Sequence, residues 1–457
     1  MKQSSLPRLH RGFLTLRDNQ HPRHGMVANP DPGVSSNSII QFPISNPTGD
    51  AMKWGFFAKA MMIAMAILVL TTNAFAAVTV VYPTGQWPDD VDNVQTAVNS
   101  GGRVLLKAVN VAGAPTAFNF GTPEYLAHRR VILDTAVELL GEQRGVARTT
   151  IRGGLAPVRG YAQVRRTIRN IDFDGNLLRA IGSLGSADRL EVSGVRIRHV
   201  IPLPAYSTGF PFSEAEGIFI SGYGSTNVSG AIALTDNLID MSDVEADLQW
   251  SVQLDNAHSD ITISGSTISI GQAPGNASDS EAIALVRCHG LVVVKNNVVN
   301  IGQNAYVGIN GYGGPDATFR ISENVIRNAG PYADAIDLIG VSSGGGANGG
   351  VAHGRISGNL LFLQDAYSGI ALLGLVSGVR VSDNTLIGTA IYGIVGASYA
   401  VPTDQVTDNQ IADNEVRRFK AGSADVFLDT NTSSNTVRDS CRSVIDLGTG
   451  NVVRCGQ

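Results

Sequence analysis

The sequence predicts an all-β chain: a single-stranded right-handed parallel β-helix solenoid with a short N-terminal capping helix. Three observations carry this. A phrase built on Asn and an apolar pair recurs at intervals of 25 to 42 residues. Apolar residues inside each phrase alternate with a period of two, the strand period. Finally, Gly 52 alongside only 16% charged residues points to many tight turns between short strands.

The first phrase reads Ala233-Leu-Thr-Asp-Asn-Leu-Ile, Thr262-Ile-Ser-Gly-Ser-Thr-Ile and Val293-Val-Lys-Asn-Asn-Val-Val. It continues as Arg320-Ile-Ser-Glu-Asn-Val-Ile, Arg355-Ile-Ser-Gly-Asn-Leu-Leu, Arg380-Val-Ser-Asp-Asn-Thr-Leu and Gln410-Ile-Ala-Asp-Asn-Glu-Val. Degenerate copies lie at Glu191-Val-Ser-Gly-Val-Arg-Ile and around Ile171. Between copies runs a second phrase: Glu216-Gly-Ile-Phe-Ile, Glu281-Ala-Ile-Ala-Leu, Val307-Gly-Ile-Asn-Gly, Asp334-Ala-Ile-Asp-Leu, Ser368-Gly-Ile-Ala-Leu and Tyr392-Gly-Ile-Val-Gly. Repeats of this length mean a solenoid. Strands of three to five residues cannot bury a face alone, but coils stacked at about 4.8 Å can. The recurring Asn suits an inward amide ladder that satisfies buried polar groups at a corner. A propeller needs roughly 40-residue blades and a sandwich 8–12-residue strand spacing, and both fit worse.

Ahead of the repeats, Asp89 and Asp90 precede Val91, Val94 and Val98 at helical spacing, and Gly101-Gly102 end the run. A short amphipathic helix there covers the unpaired edge of the first coil. The strand Arg103-Val-Leu-Leu-Lys107 follows.

Three domains are expected. Residues 1–51 lack apolar periodicity and read as an unstructured preface from an upstream start codon. Residues 52–76 read as a signal peptide: Lys53 and Lys59, a wholly apolar run Ala60–Leu70, then Ala74-Phe75-Ala76. The apolar run falls short of the ~20 residues of a membrane span, so no stable anchor is expected after cleavage. Residues 77–457 form the β-helix domain, secreted or periplasmic. The pI of 5.9 argues against nucleic acid. Three cysteines exclude a disulfide scaffold, and Cys441 with Cys455 enclose a loop that a disulfide would fasten, leaving Cys288 as a free buried thiol.

From Tyr82 onward the chain resembles the pectin/pectate-lyase-like β-helix superfamily. The residues that carry the likeness are Asp89-Asp90-Val91, Gln95-Thr96-Ala97-Val98, Gly101-Gly102-Arg103-Val104-Leu105, Ile171-Asp172-Phe173-Asp174-Gly175 and the Asn repeats. The resemblance implies the fold and a polysaccharide partner, and leaves the activity open, since the superfamily holds lyases, hydrolases, epimerases and proteins without known activity. Polygalacturonases of this fold carry Asn-Thr-Asp, Asp-Asp, Gly-His-Gly and Arg-Ile-Lys. Here Glu214-Ala215-Glu216 and Gln249-Trp250 stand in the first two slots, His289-Gly290 is placed differently, and no Arg-Ile-Lys occurs. Trp250 to His258 holds the residue types of a lyase motif at another spacing.

Two sets of residues can carry function. Glu216, Trp250, Glu281, Val307 and Asp334 share one strand row, and Asn310 and Asp337 lie in the row three residues on. Glu216 and Glu281, two coils or roughly 9.6 Å apart, sit near the upper separation of an inverting carboxylate pair. Catalytic candidates are therefore Glu216, Glu281, Asp334, Asp337 and His289. Trp250, Arg287, Asn310 and Tyr312 are the nearby binding candidates, and Arg287, His289, Tyr312 and His258 would serve a lyase. In the second set, Arg320, Arg355 and Arg380 share one outward register on three consecutive coils. They form either a ridge for an anionic polymer or a solvated face neutralised by Glu323 and Asp383. Two enlarged coils, with the aromatic stretch Tyr206–Phe212 and the run Gly344–Gly350, add loops. No cofactor is expected, and no His/Cys cluster has zinc spacing. The expected function is a secreted protein that binds or degrades a polysaccharide, an acidic one among the candidates, by lyase or hydrolase chemistry. The alternative is a non-catalytic glycan-binding or envelope-scaffold β-helix. The oligomeric state stays open.

Overall fold

The computed structural model describes residues 78–454 apart from 123–129, 163, 185–188, 206–211, 223–229, 272–278, 303–304, 315–316, 332, 342–348, 400–403, 418–422 and 439–442. The described residues all belong to one compact unit that runs on from Val78. The signal segment, most of the aromatic insertion, most of the Gly run, and Cys441 and Cys455 lie outside the described residues. Among the described residues no helix is long and apolar enough to cross a membrane.

Each coil carries three strands, which form three parallel ladders. The first ladder runs in strict sequence order from Val78–Val81 through Gly102–Leu106, Val137–Gly141 and onward to Val452–Val453. The second holds the short strands that follow each corner, such as Thr267–Ser269, Val298–Asn300 and Val325–Ala329. The third holds the Gly-Ile phrases, including Glu214–Ser221, Leu248–Asp255, Asp279–Val286, Val307–Tyr312 and Asp334–Gly340. In later coils the strands Leu360–Gly374 and Thr385–Ala397 run unbroken through the bend and join the second and third ladders. Parallel strands wound in this way follow the right-handed crossover rule.

The core is built from columns of identical chemistry. Ile218, Val252, Ile283, Ile309, Ile336, Ile370 and Ile394 are register partners in consecutive coils and all are buried. Each contributes about 1.5–3 kcal/mol of burial. The expected asparagine ladder is present. Asn297 Nδ2 donates to Asn324 Oδ1 at 3.0 Å, Asn324 to Asn359 at 3.0 Å, Asn359 to Asn384 at 2.9 Å and Asn384 to Asn414 at 2.9 Å.

The residue before each ladder position has positive φ: Asp236, Gly265, Asn296, Glu323, Gly358, Asp383 and Asp413. This explains the small polar residue in the repeat, because Gly, Asn and Asp tolerate the left-handed region best. A second ladder, Asn409 to Asn435 to Asn451, serves another corner of the last coils. Sequence periodicity had not separated it from the first.

The capping helix, α1, spans Asp89–Asn99 and buries Val91, Val94, Ala97 and Val98. Asp89, Asp90 and Asp92 favour its first turn through the helix dipole. Asp90 is fully buried and anchors the cap, accepting from Thr84 N and Oγ1, Gly85 N and Asn119 N.

Candidate functional site

The third ladder positions the site. The register pairs Glu216 with Trp250, Trp250 with Glu281, Glu281 with Val307, Val307 with Asp334 and Asp334 with Ser368. The next row pairs Phe219, Gln253, Ala284, Asn310, Asp337 and Ala371 in the same way. The ladder passes over the intervening position, so both rows lie on the outer face although they are three residues apart. Gly217 shows why the backbone is small there: a methyl group would come within 2.4 Å of Ser251 O.

These outward positions are buried. Glu281 is 4%, Asp334 2% and Asp337 1% exposed. Asn310 Nδ2 donates to Glu281 Oε1 at 2.7 Å, and Ser368 Oγ donates to Asp334 Oδ1 at 2.5 Å. Burial pushes the Asp334 carboxyl up to about 7, against the opposing pull of its Ser368 hydrogen bonds. Burial raises Asp337 well above the carboxylate range, and the neighbouring Asp334 and Glu281 add to this. Asn310 and Asp337 are register partners, and each keeps one buried oxygen without a hydrogen-bond partner. A proton on Asp337 is the donor such a pair of acceptors calls for.

Apolar and aromatic groups flank the carboxyls. Trp250, Ala284 and Val286 pack with Leu248 and Tyr312 on one side. Ile339, Ala371, Leu373 and Val395 pack with Tyr312, Tyr392 and Phe427 on the other. Tyr392 stacks on Phe427 with centroids 4.6 Å apart and meets Tyr367 edge-on at 5.6 Å. Burial pushes the Tyr367 phenol up to about 12, helped by Tyr392, Asp334, Asp429 and Asp337.

Of the residues expected from sequence, Glu281, Asn310, Asp334 and Asp337 come together, with Trp250 and Tyr312 beside them. Glu216 lies two coils from Glu281 along the same row. It is held by Arg179, whose Nε approaches Glu216 Oε2 to 2.7 Å at an angle that forms no hydrogen bond. Burial raises its pKa well above the usual value.

His289 and Arg287 are not brought to the carboxyls. Arg287 turns the corner with φ +51 and binds Asp255 through two Nη2 contacts of 2.8 and 3.0 Å. His289 stacks on His258 at 3.9 Å beyond that corner. Arg320, Arg355 and Arg380 are register partners and exposed, but they belong to the first ladder and not to the carboxyl face. Arg355 lies 3.9 Å from Asp383 and bonds Ser357 Oγ at 3.0 Å.

Sequence reasoning missed Ser368, Tyr367 and Tyr392. The signal was in the second phrase itself, whose Ser368 and Tyr392 copies occupy the Asp334 row. Among the described residues no group of three or more His, Cys, Asp or Glu side chains is arranged to hold a metal ion.

No protein-family model matches the chain, and no curated protein does. Among solved structures, the chain is similar to the Dettilon tailspike protein, at 16% identity and TM-score 0.45, over 82% of this chain and 68% of that one. It is similar to the catalytic unit of a GH87 alpha-1,3-glucanase from Streptomyces thermodiastaticus, at 16% identity and TM-score 0.46, over 84% of this chain. It spans 64% of that catalytic unit, less than two thirds of its length. It is also similar to the A-module of a mannuronan C-5 epimerase from Azotobacter vinelandii, at 16% identity and TM-score 0.33, over 80% of this chain and 93% of that one. At these identities the likeness concerns the fold alone. The parallel ladders and the asparagine corners make the chain a parallel β-helix protein.

Proposed function

We propose that the chain processes a polysaccharide on the outer face of the third ladder, by glycoside hydrolysis with Glu281, Asp334 and Asp337 as the reacting groups. The observation that carries this is the pairing of a carboxyl biased toward its neutral form, Asp337, with a second carboxyl two coils away, Glu281. Glu281 Oε1 accepts from Asn310 Nδ2 at 2.7 Å, and Asp337 stands one coil, roughly 4.8 Å, beyond Asn310 in the same row, which brings the two carboxyls toward the spacing of an inverting pair, about 6.5–9.5 Å. Asp337 then donates the proton to the leaving oxygen. Glu281, oriented by Asn310, takes the proton of the attacking water. Tyr312 and Tyr392 are partly exposed and supply flat apolar surfaces for sugar rings, backed by the buried Trp250. Export of the chain, with cleavage after Ala76, belongs to the same reading.

A second reading is favoured by the burial of all three carboxyls. A β-helix that binds glycan without turning it over would keep them as hydrogen-bonding groups.

An assay over a polysaccharide panel, following reducing ends and unsaturated-product absorbance, separates the two. Hydrolysis predicts new reducing ends without absorbance, and loss of at least about 100-fold in Asp337→Asn and Glu281→Gln. Absorbance would mean a lyase, and no product from any glycan would leave the non-catalytic reading.

A further inference from the structure

Toward the N-terminal end of the same outer face the charge reverses. Arg159 and Arg179 stand on consecutive coils: Arg159 is the register partner of Gly182, and Arg179 that of Glu216. Their side chains meet over Gly182. A methyl group at that position would lie 3.2 Å from Arg179 Cδ, 3.7 Å from Arg159 Cγ and 3.8 Å from Arg159 Nε.

Arg179 has two carboxyl groups beside it, Glu216 at 2.7 Å and Glu214 at 3.6 Å, and it lies 4.4 Å over the Phe219 ring. Arg159 does not. Its Nε is buried without a hydrogen-bond partner. Two cations, Arg130 and Arg179, act on its charge, Glu216 is within its electrostatic reach, and Tyr161 bonds it through a phenol. Burial and these like charges pull its pKa down. A half-buried guanidinium flanked by two other cations and without an ion pair is costly to hold, and the cost falls when an anion arrives. Two guanidinium groups converging on one glycine present the forked donors that carboxylates and sulfates take.

We propose that Arg159 and Arg179 form an anion subsite that takes a carboxylate or sulfate group of a polysaccharide lying along the face toward Glu281. This rests on reading that face as the glycan site, and it deepens that reading by making the substrate acidic. Arg179 is three coils, roughly 14 Å, from the Glu281 row position, so the subsite grips the polymer away from the reacting groups. Glu216, biased toward its neutral form by burial, gives way when the ligand's anion takes its place on Arg179.

The test is retardation in native gels cast with polygalacturonate, dextran sulfate or neutral dextran. Wild type should be retarded by a charged polymer, which tells carboxylate from sulfate. Arg159→Gln should bind at least about tenfold more weakly and melt no lower than wild type, because it removes a charge held among like charges. Arg159→Lys should fall between them. Without any substitution, inorganic sulfate should displace the polymer better than chloride at equal ionic strength, since screening is then the same. Equal retardation of Arg159→Gln and wild type overturns the subsite. Retardation of wild type by dextran alone overturns the subsite and leaves the glycan face standing. Retardation by none of the three overturns both.

Discussion

Asn384 Oδ1 accepts two hydrogen bonds from Asn359, one from Nδ2 at 2.9 Å and one from the backbone N–H at 3.0 Å. Asn359 Oδ1 receives the same pair from Asn324. Each amide therefore binds one coil to the next through a backbone and a side-chain donor at once. Replacing Asn359 by Leu leaves the Asn324 donors and the Asn384 acceptor short of partners in a dry corner. The expected loss is about 1–3 kcal/mol per orphaned group, read as a lower midpoint in denaturant. An unchanged midpoint would mean that the ladder does not bear on stability.

Glu323 is the one residue before an Asn of the first ladder, from Asp236 onward, that is neither Gly, Asn nor Asp, yet it adopts φ +57. Glu323→Asn relieves a conformation that a longer side chain resists, and should raise stability by about 0.5–1 kcal/mol. Glu323→Val should lower it. Thermal melts of both variants check the sign.

Asp334 gives a pH dependence of defined direction. Its folded pKa stands at about 7, against about 3.9 for an unperturbed aspartate. Between those values the folded chain keeps a proton that the unfolded chain has released. Its contribution is therefore full below about pH 4 and is lost as the pH rises through 7. Asp334→Asn lacks this term. Denaturant titrations should show the variant gaining on wild type from pH 4.5 to 8, by on the order of a few kcal/mol. A constant difference would refute the assignment.

Cys288 is fully buried, and burial pushes its thiol up to about 12. Alkylation of the native protein at pH 8 should leave the Cys288 peptide unmodified, and alkylation in denaturant should modify it fully. Rapid native labelling would show that the coil opens locally.

Arg355 separates the two surfaces. It is exposed on the first ladder, and its ion partner Asp383 is exposed as well. If the carboxyl face is the site, Arg355→Glu should leave turnover unchanged and stability within about 0.5 kcal/mol. Loss of binding to an acidic polymer, with turnover of short substrates intact, would instead make the arginine row a ligand ridge.

The registers were legible because a period of two sets in and out along each strand and the Asn sets where the coil turns. The Glu216 and Phe219 rows and the Arg320 row fell where the alternation placed them. Depth was not legible. Alternation assigns Glu281 and Asp337 to the outer face, but their burial arises from what surrounds that face in space. The separation of His289 from Glu281 was hidden too. Eight residues apart in sequence, they are parted by a corner at Arg287, whose positive φ no periodicity announces. Arg159 went unnoticed because its partner in space is a glycine on the next coil, which leaves no charge pattern to read.

Each strand bonds only to the coils directly before and after it, as Arg320, Arg355 and Arg380 show in series. A disturbance in one coil thus reaches two neighbours and weakens beyond them. Among the described residues Val452–Val453 has a ladder partner on one side only, whereas Val307–Tyr312 has one on each side. Among the described residues the coils that carry Glu281, Asn310 and Asp337 have paired coils on both sides, so the candidate site is held by neighbours in both directions.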